Sequence, residues 1–139
     1  MDKKSSPASL HQLMFVLQHL ADELLVSNAG VGLSQVRIMA VLSKSVPHSQ
    51  RTVASKLRQT EANVSRQLQA MKRRGLVSVR QNKKDKRLKE VLLTSKGANV
   101  NAKAQRLLNA QQKDLLKLLS ANERKAFEHA TNNLTKSLT

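Results

Sequence analysis

Around Gly75 the hydrophobic period of this chain changes, and it changes inside the most basic segment. Upstream, Val64, Leu68 and Met71 fall at i, i+4 and i+7, one face of a helix. Downstream, Leu76-Val77-Ser78-Val79-Arg80 alternates and is rich in Val, the pattern of a half-buried strand. Gly75 suits the left-handed residue that closes a helix. Leu88 to Leu93 reads as a returning strand, and Gln81 to Arg87 as a polar, basic connection. A helix feeding directly into a hairpin with a charged tip leaves few architectures open.

The rest of the chain reads as helices set off by local stop signals. Leu10, Leu13, Met14, Leu17, Leu20, Ala21 and Leu24 form one apolar stripe, so the spacing predicts a helix over Leu10 to Val26 with Ser9 as its N-cap. Ser34 is expected to cap a second helix, to Ser43, with Val36, Met39, Ala40 and Leu42 inward. Val46-Pro47-His48 breaks the pattern, and Ser49 caps a short helix from Gln50 to Arg58 with Val53, Ala54 and Leu57 inward. Thr60 caps the helix over Glu61 to Arg74. Thr94 opens a long helix, Ser95 to Leu119, with Gly97 in its first turn. Ser120-Ala121-Asn122-Glu123 has capping-box spacing and starts a last helix, to Leu138. The fold class expected is mostly α with a small β-hairpin wing: a winged helix-turn-helix over 33–97, flanked by helices at 1–32 and 98–139, as one compact unit.

Charge follows the same division. Residues 1–49 carry a net +1, 50–97 a net +11 and 98–139 a net +4, within a total of +16 over 139 residues. Such an excess calls for a polyanionic partner, nucleic acid or an acidic membrane surface. Phe15 and Phe127 are the only aromatics, too few for stacking on single-stranded bases. With no cysteine, disulfides, thiolate zinc sites and thiol nucleophiles are excluded. The histidines, His11, His19, His48 and His129, form no dense ligand cluster, and Asp22 and Glu23 are adjacent and point apart. There is no phosphate-cradling Gly-rich loop and no nucleophile elbow, so no enzyme, metal or cofactor is expected. No apolar run approaches the roughly 18 residues of a membrane span, and a cytoplasmic, nucleoid-associated protein is expected.

Two short helices around a tight turn make a helix-turn-helix, and the second, at about 1.5 Å per residue, is roughly 21 Å long and fits a major groove. Thr60, Asn63 and Ser65 are short polar groups able to approach base edges, and Gln69 shares the polar face. Asn pairs bidentately with adenine and Arg with guanine. Arg66, Lys72, Arg73 and Arg74 suit phosphates. Lys83, Lys84, Lys86 and Arg87 tip the wing, where a narrow minor groove attracts Arg, and Asp85 is a structural partner for a nearby Arg. The flanking Leu stripes, including Leu107-Leu108, Leu115-Leu116 and Leu118-Leu119, exceed what a winged helix of about 65 residues buries, and a two-fold homodimer is the economical solution.

These residues resemble the MarR family of bacterial transcriptional regulators. The resemblance is carried by Leu33-Ser34-Gln35, Val53-Ala54-Ser55-Lys56-Leu57, Val64-Ser65-Arg66, Arg74-Gly75-Leu76-Val77, Asp85-Lys86-Arg87 and Leu93-Thr94-Ser95-Lys96-Gly97, in order and correctly spaced over 33–97. It implies a homodimer built from the terminal helices, with two winged helices on a pseudopalindromic operator, Arg87 in the minor groove and Asp85 positioning the wing. It implies a repressor, released from double-stranded DNA by a small aromatic or anionic effector. Arg37 is the candidate for holding such an anion. The chain departs from the family pattern at Arg58, where Gly is usual in the turn, at Gln59 and Gln67, where apolar residues are common, and at Lys72, which replaces a usual Glu. A left-handed Arg58 would cost roughly 1–2 kcal/mol.

Two other readings share the basic segment. A nonspecific architectural DNA-binding protein would show steep salt dependence without sequence preference. An RNA-binding winged helix would prefer structured RNA to duplex DNA. Confinement of the charge to the winged segment favours the regulator.

Overall fold

A computed structural model describes residues 7–43 and 46–139, with side chains from Ser9 onward. The polar opening, residues 1–6, lies outside them. The order is α1 (Pro7–Ala29), α2 (Leu33–Leu42), β1 (His48–Ser49), α3 (Gln50–Leu57), α4 (Glu61–Arg73), β2 (Val77–Gln81), β3 (Lys89–Leu93), α5 (Ser95–Leu116) and α6 (Ala121–Leu138). Two compact units divide the chain, Met1–Gln105 and Arg106–Thr139, and α5 runs through the division. Among the described residues no single helix is long and apolar enough to cross a membrane.

Helix α1 extends beyond both of its expected ends, starting at Pro7 and running to Ala29 before Gly30 turns left-handed at φ 71°. Helix α2 is capped differently from expectation. It starts at Leu33, and Gly32 is the N-cap with no side-chain bond. The carboxylate of Asp22, eleven residues upstream, accepts the Leu33 N–H at 2.8 Å. A donor left orphaned at the helix start is thus met by an acceptor from α1, not by Ser34. The burial of α2 also differs: Ile38 is fully buried and Ala40 is exposed, beside the expected Val36, Met39 and Leu42.

The hairpin pairs β2 with β3 in antiparallel register, Val77 opposite Leu93 and Val79 opposite Val91. A third strand, β1, joins on the far edge of β3 with His48 opposite Val91, so the sheet order is β1-β3-β2. The core under the sheet is built from Val36, Ile38, Met39 and Leu42 of α2, Val53 and Ala54 of α3, and Val64, Leu68 and Met71 of α4, with Leu76, Val77 and Val91. This basis of apolar side chains holds α3 and α4 at the surface in fixed relation to the wing.

In the second unit α6 starts with the expected capping box: Ser120 Oγ accepts the Glu123 N–H, and the Glu123 carboxylate accepts the Ser120 N–H at 2.9 Å. Arg124 donates to the carbonyls of Leu116 and Leu119, which tie off the end of α5. None of the 18 residues of α6 is buried.

Candidate nucleic-acid interface

Helix α3 ends in a Schellman turn. The Gln59 N–H reaches the Ala54 carbonyl at 2.9 Å and the Arg58 N–H reaches Ser55 at 3.1 Å. The residue that must turn left-handed is Arg58, at φ 54° and ψ 44°. The turn therefore keeps its usual shape, and Arg58 carries the strain of about 1–2 kcal/mol that Gly would avoid. Gly75 closes α4 in the same way without that cost, at φ 75°, its successor Leu76 donating to Met71 at 2.9 Å.

Thr60 caps α4 as expected, its Oγ1 accepting the Asn63 N–H at 3.1 Å. Opposite the buried Val64, Leu68 and Met71, the outward face carries Ala62, Arg66, Gln69 and Arg73 at spacings of four, three and four, all exposed. Ser65 and Asn63 flank that face and are half-buried. Ala62 was not among the expected site residues, although its place one turn before Arg66 follows from the period alone; a small apolar group there suits a thymine methyl. Asn63 is not free. Its Nδ2 donates to Gln59 Oε1 at 2.9 Å, and its Oδ1 accepts from Arg66 Nη2 at 3.3 Å. Arg74, a residue expected at phosphates, is exposed, and its guanidinium lies beside Gly30 at the end of α1, where a cation meets the negative end of the helix dipole.

The wing tip is organised by two short side chains. Asn82 Oδ1 accepts the backbone N–H groups of Lys84 and Asp85 at 2.8 and 2.9 Å. Sequence reasoning missed Asn82, whose signal is an Asx turn. Asp85 Oδ1 accepts both the backbone N–H and the Nε of Arg87, at 3.0 and 3.1 Å, and Oδ2 accepts Nη2 at 3.3 Å. Asp85 is thus the expected structural partner of an Arg, and that Arg is Arg87. The Arg87 side chain, and then its backbone N–H, hold the Asp85 carboxyl below its ordinary value. A depressed pKa means that this contact is complete above the ordinary carboxylate range and is lost only as pH falls through the lowered value, so the tip stays organised from neutral to mildly acidic pH. Lys83, Lys84, Lys86 and Arg87 are all exposed around it.

Two hollows of about 380 Å³ each open on the first unit. Ala40, Val41 and Leu57 line one, with the cations Arg37 and Lys56 at its edge. The other is lined by Leu42, Leu92, Leu93, Ala98 and Ala102 with the polar Ser43, Thr94, Ser95 and Asn101, and holds no charged side chain. Among the described residues no three His, Asp or Glu side chains gather to hold a metal.

The basic α4 and the Asp85-Arg87 tip stand together on one winged module, and residues 29–88 match the MarR family model. That segment is similar to the MarR family. The MarR fold covers nearly the whole chain. A cysteine-to-serine mutant of MarR from E. coli superposes with a TM-score of 0.85 at 20% identity, over 96% of this chain and 99% of that one. MepR from S. aureus, in complex with DNA, gives 0.80 at 18% identity, over 96% and 99%. PcaV from Streptomyces coelicolor, in complex with its natural ligand, gives 0.77 at 19% identity, over 100% of each chain. No curated protein matches at significant similarity.

Proposed function

We propose that this protein is a sequence-specific regulator of transcription, a repressor that binds a pseudopalindromic operator in double-stranded DNA as a homodimer. Residues 33–97 are the DNA-reading part, and 1–32 with 98–139 the dimerisation part. The observation that carries the reading is the pairing of a basic, outward α4 with a wing whose tip Asp85 orders Arg87. Recognition helices of a dimer enter successive major grooves about one turn apart, and each wing lies over the adjoining minor groove. Thr60, Asn63, Ser65, Arg66, Gln69 and Arg73 face the major groove; Lys83, Lys84, Lys86 and Arg87 contact backbone and minor groove. The MepR neighbour carries DNA on the same fold.

The test is selection of bound fragments from random duplexes at about 0.15 M salt, where nonspecific phosphate binding is weakened. An enriched inverted repeat with half-sites one turn apart is expected. Asn63→Ala should relax one position per half-site by about 1–3 kcal/mol, and Arg87→Ala should weaken all sequences alike. Strong, salt-sensitive binding without enrichment would instead favour the architectural reading, and a preference for structured RNA the RNA-binding one.

Release by a small anion belongs to the same reading, since the PcaV neighbour is in complex with its natural ligand. Of the two hollows only the α2–α3 one offers counter-charge, from Arg37 and Lys56. An aromatic carboxylate such as benzoate is expected to shift the backbone NMR signals of Arg37 and Lys56 at millimolar concentration and to lower DNA affinity. Equal shifts in Arg37→Ala would remove that residue from the site.

A further inference from the structure

The turn between α3 and α4 places a polar residue, Gln59, between the left-handed Arg58 and Thr60, the N-cap of α4. Its backbone N–H is tied to Ala54 by the left-handed Arg58, and its half-buried side chain reaches back to Asn63, four residues on. Asn63 in turn meets Arg66, three residues further along the outward face.

The direction of this chain of hydrogen bonds follows from donor chemistry. A guanidinium has five donors and no acceptor. Arg66 Nη2 therefore requires the oxygen of the Asn63 amide on its side, 3.3 Å away. The Asn63 nitrogen then faces Gln59, and Gln59 must offer Oε1, at 2.9 Å. The reverse arrangement would set two donors against each other at Arg66. Bound at both ends, Asn63 still keeps one N–H and one acceptor position on its oxygen. One free donor beside one free acceptor is the set that meets the N7 and N6 groups of adenine in the major groove.

Resting on the DNA-reading function above, we infer that Gln59 is a positioning residue for base readout. With Arg66 it fixes the orientation of the Asn63 amide, so that α4 presents a prearranged adenine-selecting edge. The strain at Arg58 serves the same end, because the left-handed turn brings Gln59 within reach of Asn63. Preorganisation of this kind limits the ordering cost that a free amide would meet on binding.

The experiment compares the base preference of the intact protein and three variants on duplexes carrying each base at every half-site position. In Gln59→Met, similar in shape but without the acceptor, the adenine preference at the Asn63 position is expected to fall at least fivefold. Gln59→Glu keeps an acceptor; it should retain the preference ratio while weakening every sequence, because its charge repels phosphate. Asn63→Ala should lose the ratio outright. A wild-type ratio in Gln59→Met, with Asn63→Ala relaxed, overturns the positioning role and leaves the DNA reading intact. A wild-type ratio in Asn63→Ala removes Asn63 from readout and overturns both that assignment and this inference. The Asn63 side-chain amide signals of the free protein give a second measure. They should shift on Gln59→Met at unchanged melting temperature, and unmoved signals would also overturn the inference.

Discussion

Replacing Phe127 and Leu134 together by Asp is expected to turn the proposed dimer into a monomer and to weaken binding to the proposed operator by at least about 100-fold, the scale set by losing one of two linked binding events. Helix α6 lacks a buried face. Its residues are all at least partly exposed, yet Phe127, Leu134 and Leu138 follow at spacings of seven and four along one side, 44%, 57% and 74% exposed. The same holds for much of α1, where Leu10, Leu13, Met14, Phe15, Val16 and Leu20 are exposed and, among the described side chains, only Ala21 and Leu25 are buried. Monomeric proteins rarely leave apolar patches larger than a few hundred Å² open to water. A second copy of the chain is the partner that requires no further component, and a two-fold axis is the commonest solution. Two buried aspartates in each copy would stand unpaired across that axis, an arrangement that a dimer does not tolerate. Sedimentation at micromolar concentration measures the first effect and operator titration the second. Far-UV circular dichroism should hold, since the Ser120–Glu123 capping box and the Arg124 bonds to Leu116 and Leu119 are untouched. A variant that sediments as the parent would remove α6 from the dimer interface.

Much of the module was legible in the sequence because its signals are local. Ser49, Thr60 and Ser120 each accept an N–H three residues on, and Thr94 accepts the Gly97 N–H in the same way. A cap that acts at i+3 is visible in a short window. The change of period at Gly75 and the Asp85-Arg87 pair, two residues apart, are equally local. What was missed depends on distant chain. Strand β1 has two residues and no pattern of its own; it exists by pairing with β3, over forty residues later. The cap of α2 comes from Asp22, so the nearby Ser34 misled. Ile38 is buried because α2 is covered around more of its circumference than a one-sided stripe implies. At the site, the polar face of α4 was legible from its period. The internal hydrogen bonding of Asn63 was not, because Gln59 reads as an ordinary departure until the left-handed Arg58 brings it round.

Gly97 reads two ways, and the sign of one substitution separates them. As a residue in the first turn of a helix it is a mild defect, and Gly97→Ala would stabilise the protein by about 1 kcal/mol on helix propensity alone. The structure calls for the opposite. Gly97 is buried, and a Cβ there would lie inside the van der Waals envelope of the Leu76 carbonyl oxygen and tight against a Leu93 methyl. That carbonyl cannot yield easily, because it accepts the Thr94 N–H at 3.1 Å. Around it, Thr94 Oγ1 donates to the Gly75 carbonyl at 2.6 Å and accepts the Gly97 N–H at 3.0 Å, while Lys96 Nζ donates to the Arg74 carbonyl at 2.9 Å. The first turn of α5 is thereby fastened to the junction of α4 and β2. Pushing it away strains all of these bonds and loosens Leu76 in the core. We expect Gly97→Ala to cost about 2–3 kcal/mol net of propensity, within the range for overpacked sites, and to lower the melting temperature by roughly 10 °C. Thermal and urea unfolding of the two proteins measure this. Equal or greater stability in Gly97→Ala would mean that α5 does not approach Leu76 closely in solution, and that the glycine marks nothing beyond a helix start.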